Sequence, residues 1–195
     1  IISFTAKASL DALRSMLERR RLQDSFGSYV SPAVLDKILD GEINPDMQGE
    51  RVEVCVLFAD IRGFTSLSAD AEPEHIIALL NDYLEEMTQA IHECQGTVDK
   101  FIGDGIMAFF GAPERIDNPA EMGFAAAWNM LARLENFNNS RRAAGLAAIE
   151  IGIGLHLGDA VVGHVGSAER HEYTAIGDAV NLASRIESLT KELGF

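Results

Sequence analysis

Two short apolar runs, Thr97–Ile102 and Ile106–Phe110, flank Gly103-Asp104-Gly105 in the middle of the chain. Asp-Gly between alternating apolar segments is a strong hairpin signal, because both positions tolerate positive φ. An antiparallel pair here constrains what the rest can form. Upstream, Arg51–Ala59 is rich in Val, Leu and Phe and reads as a buried strand. Pro73–Glu93 has helical periodicity, with Pro73 at its start and Gly96 past its end. Downstream, Asn118–Ala144 is a second long helix opened by Asn118-Pro119. Ile149–Leu157 and Ala160–Val165 read as strands of a second hairpin turning at Gly158-Asp159, and His171–Ala175 as a brief extended piece. Gly177-Asp178 leads into a last helix, Ala179–Leu193. The order β-α-β-β-α-β-β-α implies an α+β fold of the ferredoxin-like, split βαβ kind, an antiparallel-rich sheet with helices on one face.

Ahead of this unit, residues 1–49 read as a helical connector, and residues 50–195 as the globular domain. Leu10, Leu13, Met16 and Leu17 give Ser9–Asp24 a helical stripe. Arg19-Arg20-Arg21 reads as a solvated face, and more sharply as the cytoplasmic side of a connection to a sensor or membrane domain. Pro32–Asp40 is a helix between Ser31 and Gly41, and Glu42–Glu50 is a polar linker. The chain starts at Ile1, not Met, and reads as a fragment of a longer protein with a cytoplasmic catalytic region. No stretch approaches the ~18 apolar residues a transmembrane helix needs. A net charge of −14 argues against nucleic-acid partners, so any phosphate must be met locally by cations, backbone amides or a few basic side chains. Cys55 and Cys94 have no metal spacing, and Cys55, in an apolar run, reads as a buried small hydrophobe.

The residues that carry chemistry sit at strand ends. Asp60 closes an apolar strand and Asp104 occupies the hairpin tip. In a βαββ unit these ends can meet, and two adjacent carboxylates repel unless cations lie between them. Hard divalent ions take one or two protein carboxylates plus phosphate oxygens, so the pair points to a two-metal phosphoryl site. Gly63, Phe64 and Thr65 follow in a turn whose amides suit phosphate. Asn181 and Arg185 lie four apart on the last helix and share one face; Arg suits the extra charge of a pentavalent phosphorus.

Three blocks, Phe58-Ala59-Asp60-Ile61-Arg62-Gly63-Phe64-Thr65, Lys100-Phe101-Ile102-Gly103-Asp104-Gly105 and Tyr173 through Arg185, resemble the core motifs of class III adenylyl and guanylyl cyclases. Phe26-Gly27-Ser28-Tyr29-Val30-Ser31-Pro32 is similar to the segment that precedes bacterial members. The resemblance implies that Asp60 and Asp104, with the Ile61 carbonyl, bind two Mg²⁺ or Mn²⁺ ions. It implies that Asn181 and Arg185 hold the ribose and stabilise the transition state, and that Lys100 and Thr174 read the base. Lys100 can donate to an adenine ring nitrogen and Thr174 can accept from its amine, which favours ATP, although a hydroxyl can also donate and many adenylyl members have Asp there. The implied product is 3′,5′-cyclic AMP, for intracellular signalling. Lys100 and Asp104 are too close in sequence for one nucleotide to place its base on one and its phosphates on the other, and the family resolves this with a head-to-tail dimer; carrying both sets, this chain implies a homodimer. The family usually continues past the position of Phe195 with a further strand and a phosphate-binding lysine. A diguanylate-cyclase palm is the rival enzyme, without its G-G-[DE]-[DE]-F block here, and a catalytically dead cyclase-like module is the rival of another class.

Overall fold

A computed structural model describes residues 32–41, 49–69, 71–166 and 171–194, with helical positions at 16, 17 and 20. Most of the expected Ser9–Asp24 helix, the Phe26–Ser31 segment, most of the 42–50 linker and Phe195 lie outside the described residues. In chain order the elements are α1 (Pro32–Leu39), β1 (Glu50–Ile61), α2 (Phe64–Ala69), α3 (Pro73–Glu93), β2 (Thr97–Ile102), β3 (Gly105–Phe110), α4 (Pro119–Ala143), β4 (Ile151–Gly166), β5 (His171–Ile176) and α5 (Asp178–Leu193). Among the described residues no helix is long and apolar enough to cross a membrane.

The five strands form one antiparallel sheet in the order β2-β3-β1-β4-β5, as the α+β reading anticipates. β1 is central because alternate residues are apolar on both faces. Cys55, Leu57, Ala59 and Ile61 face a core shared with Leu79, Tyr83, Met87 and Ile91 of α3 and Ala126, Met130 and Leu134 of α4. Val52, Val54 and Val56 face a second core with Met107, Phe109, Tyr173, Ala179 and Ala183. The long helices α3 and α4 thus cover one face as expected, while α5 packs on the other. Asn118 caps α4, its Oδ1 accepting from the Glu121 N–H at 3.2 Å. Cys55 is 2 % exposed and its thiol is pushed up to about 11 by burial, as suits a packing residue.

The second hairpin does not form where the sequence places it. β4 is continuous, and Gly158 and Asp159 pair with Val54 and Glu53 of β1 within the ladder. Gly152, Gly154 and Gly158 share the face beneath α5, and they serve close approach, not a turn. A Cβ on Gly154 would sit 2.3 Å from the Glu187 backbone N and 2.5 Å from the Ala183 carbonyl O. One on Gly152 would overlap the Arg62 guanidinium, and one on Gly158 would press on Ala179. The real hairpin joins β4 to β5, with Val161 opposite Ile176 and Gly166 opposite His171. The β1 ladder on β4 ends at Val162, so the rest of β4 is free to carry β5 across the second face. There β5 reaches β2, the opposite edge strand, and Phe109 of β3 lies 6.2 Å from Tyr173 between ring centroids.

Gly154→Ala forces α5 backbone off the sheet, and overpacking of this kind is expected to cost about 1–3 kcal/mol. Urea unfolding with a lowered midpoint and an unchanged m value checks it; an unchanged midpoint shows that α5 does not depend on this approach.

Candidate active site

The β1–β3 ladder sets the aspartate pair. Ala59 is opposite Ile106, so Asp60 and Asp104 fall just past the last pair, at the same end of adjacent strands. The Ile61 N–H donates to Asp104 Oδ2 at 3.2 Å, tying the hairpin tip to the end of β1. Asp60 Oδ1 is 3.2 Å from where a Cβ on Gly105 would stand, so the carboxylate leans over that backbone. Both side chains are half-buried. Asp60 is pushed up to about 6 from its ordinary 3.8, first by burial, then by the hydrogen bond and negative charge of Asp104 and the charge of Glu187, with Arg62 opposing. Tyr83, fully buried below, has its phenol driven upward by burial and by the two aspartates.

Such a pair suits a hard cation: its donors are carboxylate oxygens, and a bound ion relieves the repulsion between them. Among the described residues no group of three or more His, Cys, Asp and Glu forms a cage. An ion held here completes its shell with backbone, water or ligand oxygens. Beyond Ile61 the chain turns at Gly63, whose φ of 67° favours glycine, into the short helix α2. Ser66 and Leu67 donate back to the Gly63 carbonyl, each at 3.0 Å. Gly63 and Thr65 are exposed, while Phe64 anchors the turn in the α3–α4 core.

Arg62 runs under the sheet end. Its Nη1 is 2.9 Å from Glu187 Oε1 on α5, its Nη2 donates to Thr190 Oγ1, and both members of the ion pair are largely buried. These contacts tie the end of β1 to α5. The buried face of α5 carries Ala179, Ala183 and Glu187, and Glu187 is the residue felt by Asp60. Asn181 and Arg185 are exposed, and each stands two residues from that face, ~200° around the helix. Asn181 and Arg185 therefore lie on the exposed face of α5, opposite the face that packs on the sheet and carries Glu187.

Lys100 and Thr174 are brought together, although they come from opposite edges of the sheet. Lys100 Nζ lies 2.8 Å from Glu172 Oε2 and 3.4 Å from Asp99 Oδ1. Thr174 donates from Oγ1 to Asp99 Oδ2 at 2.5 Å. Lys100 is held more strongly protonated, chiefly by the bond to Glu172. Asp99 and Glu172 escape a motif reading because each is a charged neighbour of a chemically more obvious residue. The signal for Asp99 was a second ionisable side chain in a strand of alternating pattern. His156 pairs opposite Val56 in the β1–β4 ladder, and His164 packs edge-on to Tyr173 with ring centroids 5.4 Å apart.

The chain matches the adenylate and guanylate cyclase catalytic domain over residues 47–193. It is 39 % identical over 199 residues to an adenylate cyclase of Anabaena cylindrica, covering 99 % of this chain and 38 % of that protein. It is 35 % identical over 188 residues to adenylate cyclase 1 of Rhizobium meliloti (strain 1021), covering 96 % of this chain and 28 % of that protein. Among solved structures it superposes on the guanylyl cyclase Cya2 with a TM-score of 0.70 at 40 % identity, covering 73 % of each chain. The adenylyl cyclase CyaB from P. aeruginosa gives 0.66 at 40 % identity, covering 73 % of this chain and 74 % of that one. This chain belongs to the class III adenylyl and guanylyl cyclase catalytic domain family. It spans little more than a third of the length of the first of those curated relatives and less of the second.

Between 3.8 and about 6 the native metal-free protein keeps a proton on Asp60 that the unfolded chain has lost. The raised value therefore favours folding below that window, and the gain is lost as pH rises through about 6. In EDTA, Asp60→Asn is expected to stabilise the protein at about pH 8, on the order of 1 kcal/mol after solvent screening, and much less at about pH 5. Urea unfolding at both pH values checks this; equal destabilisation at both shows that the carboxylates are not in conflict.

Proposed function

We propose that this chain is the catalytic domain of an adenylyl cyclase, converting ATP to 3′,5′-cyclic AMP and pyrophosphate at the interface of a head-to-tail homodimer. The observation that carries the reading is the convergence of Asp60 and Asp104 at one sheet end, with Asn181 and Arg185 of the same chain on the exposed face of α5. A site needing both pairs has to draw them from two copies of the chain, and a two-fold pairing supplies two such sites.

In this reading Asp60 and Asp104, with the Ile61 carbonyl, hold two Mg²⁺ or Mn²⁺ ions against the triphosphate. Bound there, the cations supply Lewis-acid polarisation of the phosphate oxygens and lower the pKa of the ribose 3′-hydroxyl. Gly63, Phe64 and Thr65 present turn amides to the phosphates. From the partner copy, Lys100 donates to an adenine ring nitrogen and Thr174 accepts from the amine, while Asn181 orients the ribose. The 3′-oxygen bonds to the α-phosphorus, the bond to the oxygen bridging the β-phosphorus breaks, and pyrophosphate leaves as the hydroxyl proton passes to water. Arg185 neutralises charge that builds on the α-phosphate and the leaving oxygen. The relatives include both adenylyl and guanylyl cyclases, so the choice of ATP rests on Lys100 and Thr174. A glutamate or aspartate at the Lys100 position would suit the guanine ring N–H, whereas Lys sets donor against donor, at about 1–3 kcal/mol for each unsatisfied group.

Purified protein is expected to form cyclic AMP from Mn²⁺-ATP, with Asp60→Ala and Arg185→Ala each lowering the rate at least about 100-fold. Mixed in equal amounts and allowed to exchange subunits, those two inactive variants should recover about a quarter of wild-type activity, since half the dimers then hold one intact site of two. No turnover by demonstrably dimeric wild-type protein sinks the enzyme reading. Turnover without recovery on mixing sinks the shared site.

A further inference from the structure

Strict alternation along Thr97-Val98-Asp99-Lys100 would send Asp99 and Lys100 to opposite faces of β2. The ladder with β3 avoids this. Val98 pairs with Ala108 and Lys100 with Met107, so Asp99 is left between them as a bulge. Both side chains then reach β5, a strand that is not β2's neighbour in the sheet. Asp99 is 2 % exposed. Its Oδ2 takes the Thr174 hydroxyl at 2.5 Å and the Ala175 N–H at 3.3 Å, and its Oδ1 faces the Lys100 ammonium at 3.4 Å, an ion pair longer than a full hydrogen bond.

We propose that Asp99 is a specificity-determining positioning residue, which fixes the Thr174 hydroxyl as a pure acceptor toward the nucleotide base. The inference rests on the reading of Lys100 and Thr174 as base-contacting residues and goes one step further. A threonine hydroxyl has one proton and two lone pairs, and left to rotate it serves an amine or a carbonyl equally well. Here the proton has one destination. Burial pushes the Asp99 carboxyl up, but the Thr174 hydroxyl, the Lys100 ammonium and the Ala175 amide all oppose that rise. The ammonium and the amide can only donate, so they favour the carboxylate, and the proton between Asp99 and Thr174 is then the hydroxyl's own. What Thr174 turns to a ligand is therefore a lone pair. That matches the exocyclic amine of adenine and opposes the 6-carbonyl of guanine. The same carboxylate steadies Lys100 from one side while Glu172 holds it from the other at 2.8 Å, leaving the ammonium a third proton for the ring nitrogen. A buried carboxylate is costly to keep, and an aliphatic residue would join β2 to β5 more cheaply. Its retention between the two base-contacting groups is what a polarity lock requires.

The test compares kcat/KM for ATP and GTP with Mn²⁺ in the wild type, Thr174→Val, Asp99→Ala, Asp99→Asn and the Thr174→Val/Asp99→Ala double variant. Competition between 3′-deoxy-ATP and 3′-deoxy-GTP for binding reads the same ratio without turnover. Thr174→Val is expected to erode the ATP preference, and Asp99→Ala to lower it about tenfold by freeing the hydroxyl. Asp99→Asn, which preserves size should Asp99→Ala fail to fold, shifts the ratio the same way by less. In the Thr174→Val background Asp99→Ala should move the ratio much less than in the wild type, the remainder coming from its hold on Lys100. If Thr174→Val alters the ratio and neither Asp99 variant does, Asp99 is only a structural tie and the inference is overturned. If Thr174→Val itself leaves the ratio untouched, the base-reading assignment fails first and takes the inference with it.

Discussion

Two negative charges are forced together at the open end of β1 and β3, and much of the molecule is arranged around that contact. The antiparallel register brings Asp60 and Asp104 level, and the Ile61 amide holds the hairpin tip in place. Burial and the neighbouring carboxylate push Asp60 up to about 6, so the metal-free site works against its own charge near neutral pH. A fold gains nothing from such a pair by itself. In the proposed function it is half of a coordination shell, with the other half delivered by a polyanionic ligand. Tyr83 and Met87 of α3 and Ile106 of β3 belong to the apolar core on the α3–α4 face of β1.

The second organising constraint is the approach of α5 to β4. The glycines at 152, 154 and 158 remove side chains from one face of the strand, and α5 settles against its backbone with Ala179 and Ala183. Arg62 crosses the same gap to Glu187 and Thr190. Since Arg62 directly follows Asp60 and Ile61, each chain would, in the proposed dimer, join the aspartate pair of one site to the Asn181–Arg185 helix of the other. In a symmetric dimer a small rotation of one chain would thus be felt at both sites.

The element order was written plainly in the sequence: Pro73 and Asn118-Pro119 mark helix starts, and the apolar runs around Asp104 mark the hairpin. The letters β-α-β-β-α-β-β-α are nearly those observed, yet Gly158-Asp159 was read as a turn. Glycine next to aspartate carries the same local signal whether it makes room for a reversal or for a helix, and only the tertiary contact with α5 separates the two. The side of the sheet taken by α5 was hidden for the same reason. Of the candidate site, the structure brings Asp60 next to Asp104 and Lys100 next to Thr174, while the roles the motifs imply for them belong to the proposal. Asp99 shows in the sequence only as a second ionisable side chain beside Lys100, because its bulge is a property of pairing between strands and leaves no mark in a six-residue run such as Thr97–Ile102.

The central claim is that Asp60 and Asp104 share divalent cations beneath a nucleotide's phosphates. The most direct measurement is electron paramagnetic resonance of Mn²⁺ titrated into the protein with a saturating, non-cyclising ATP analogue. Two magnetically coupled Mn²⁺ ions per bound nucleotide, lost on Asp60→Asn/Asp104→Asn substitution while the fold persists, is the expected result. A spectrum of isolated ions, or full Mn²⁺ uptake by the double variant, would contradict it.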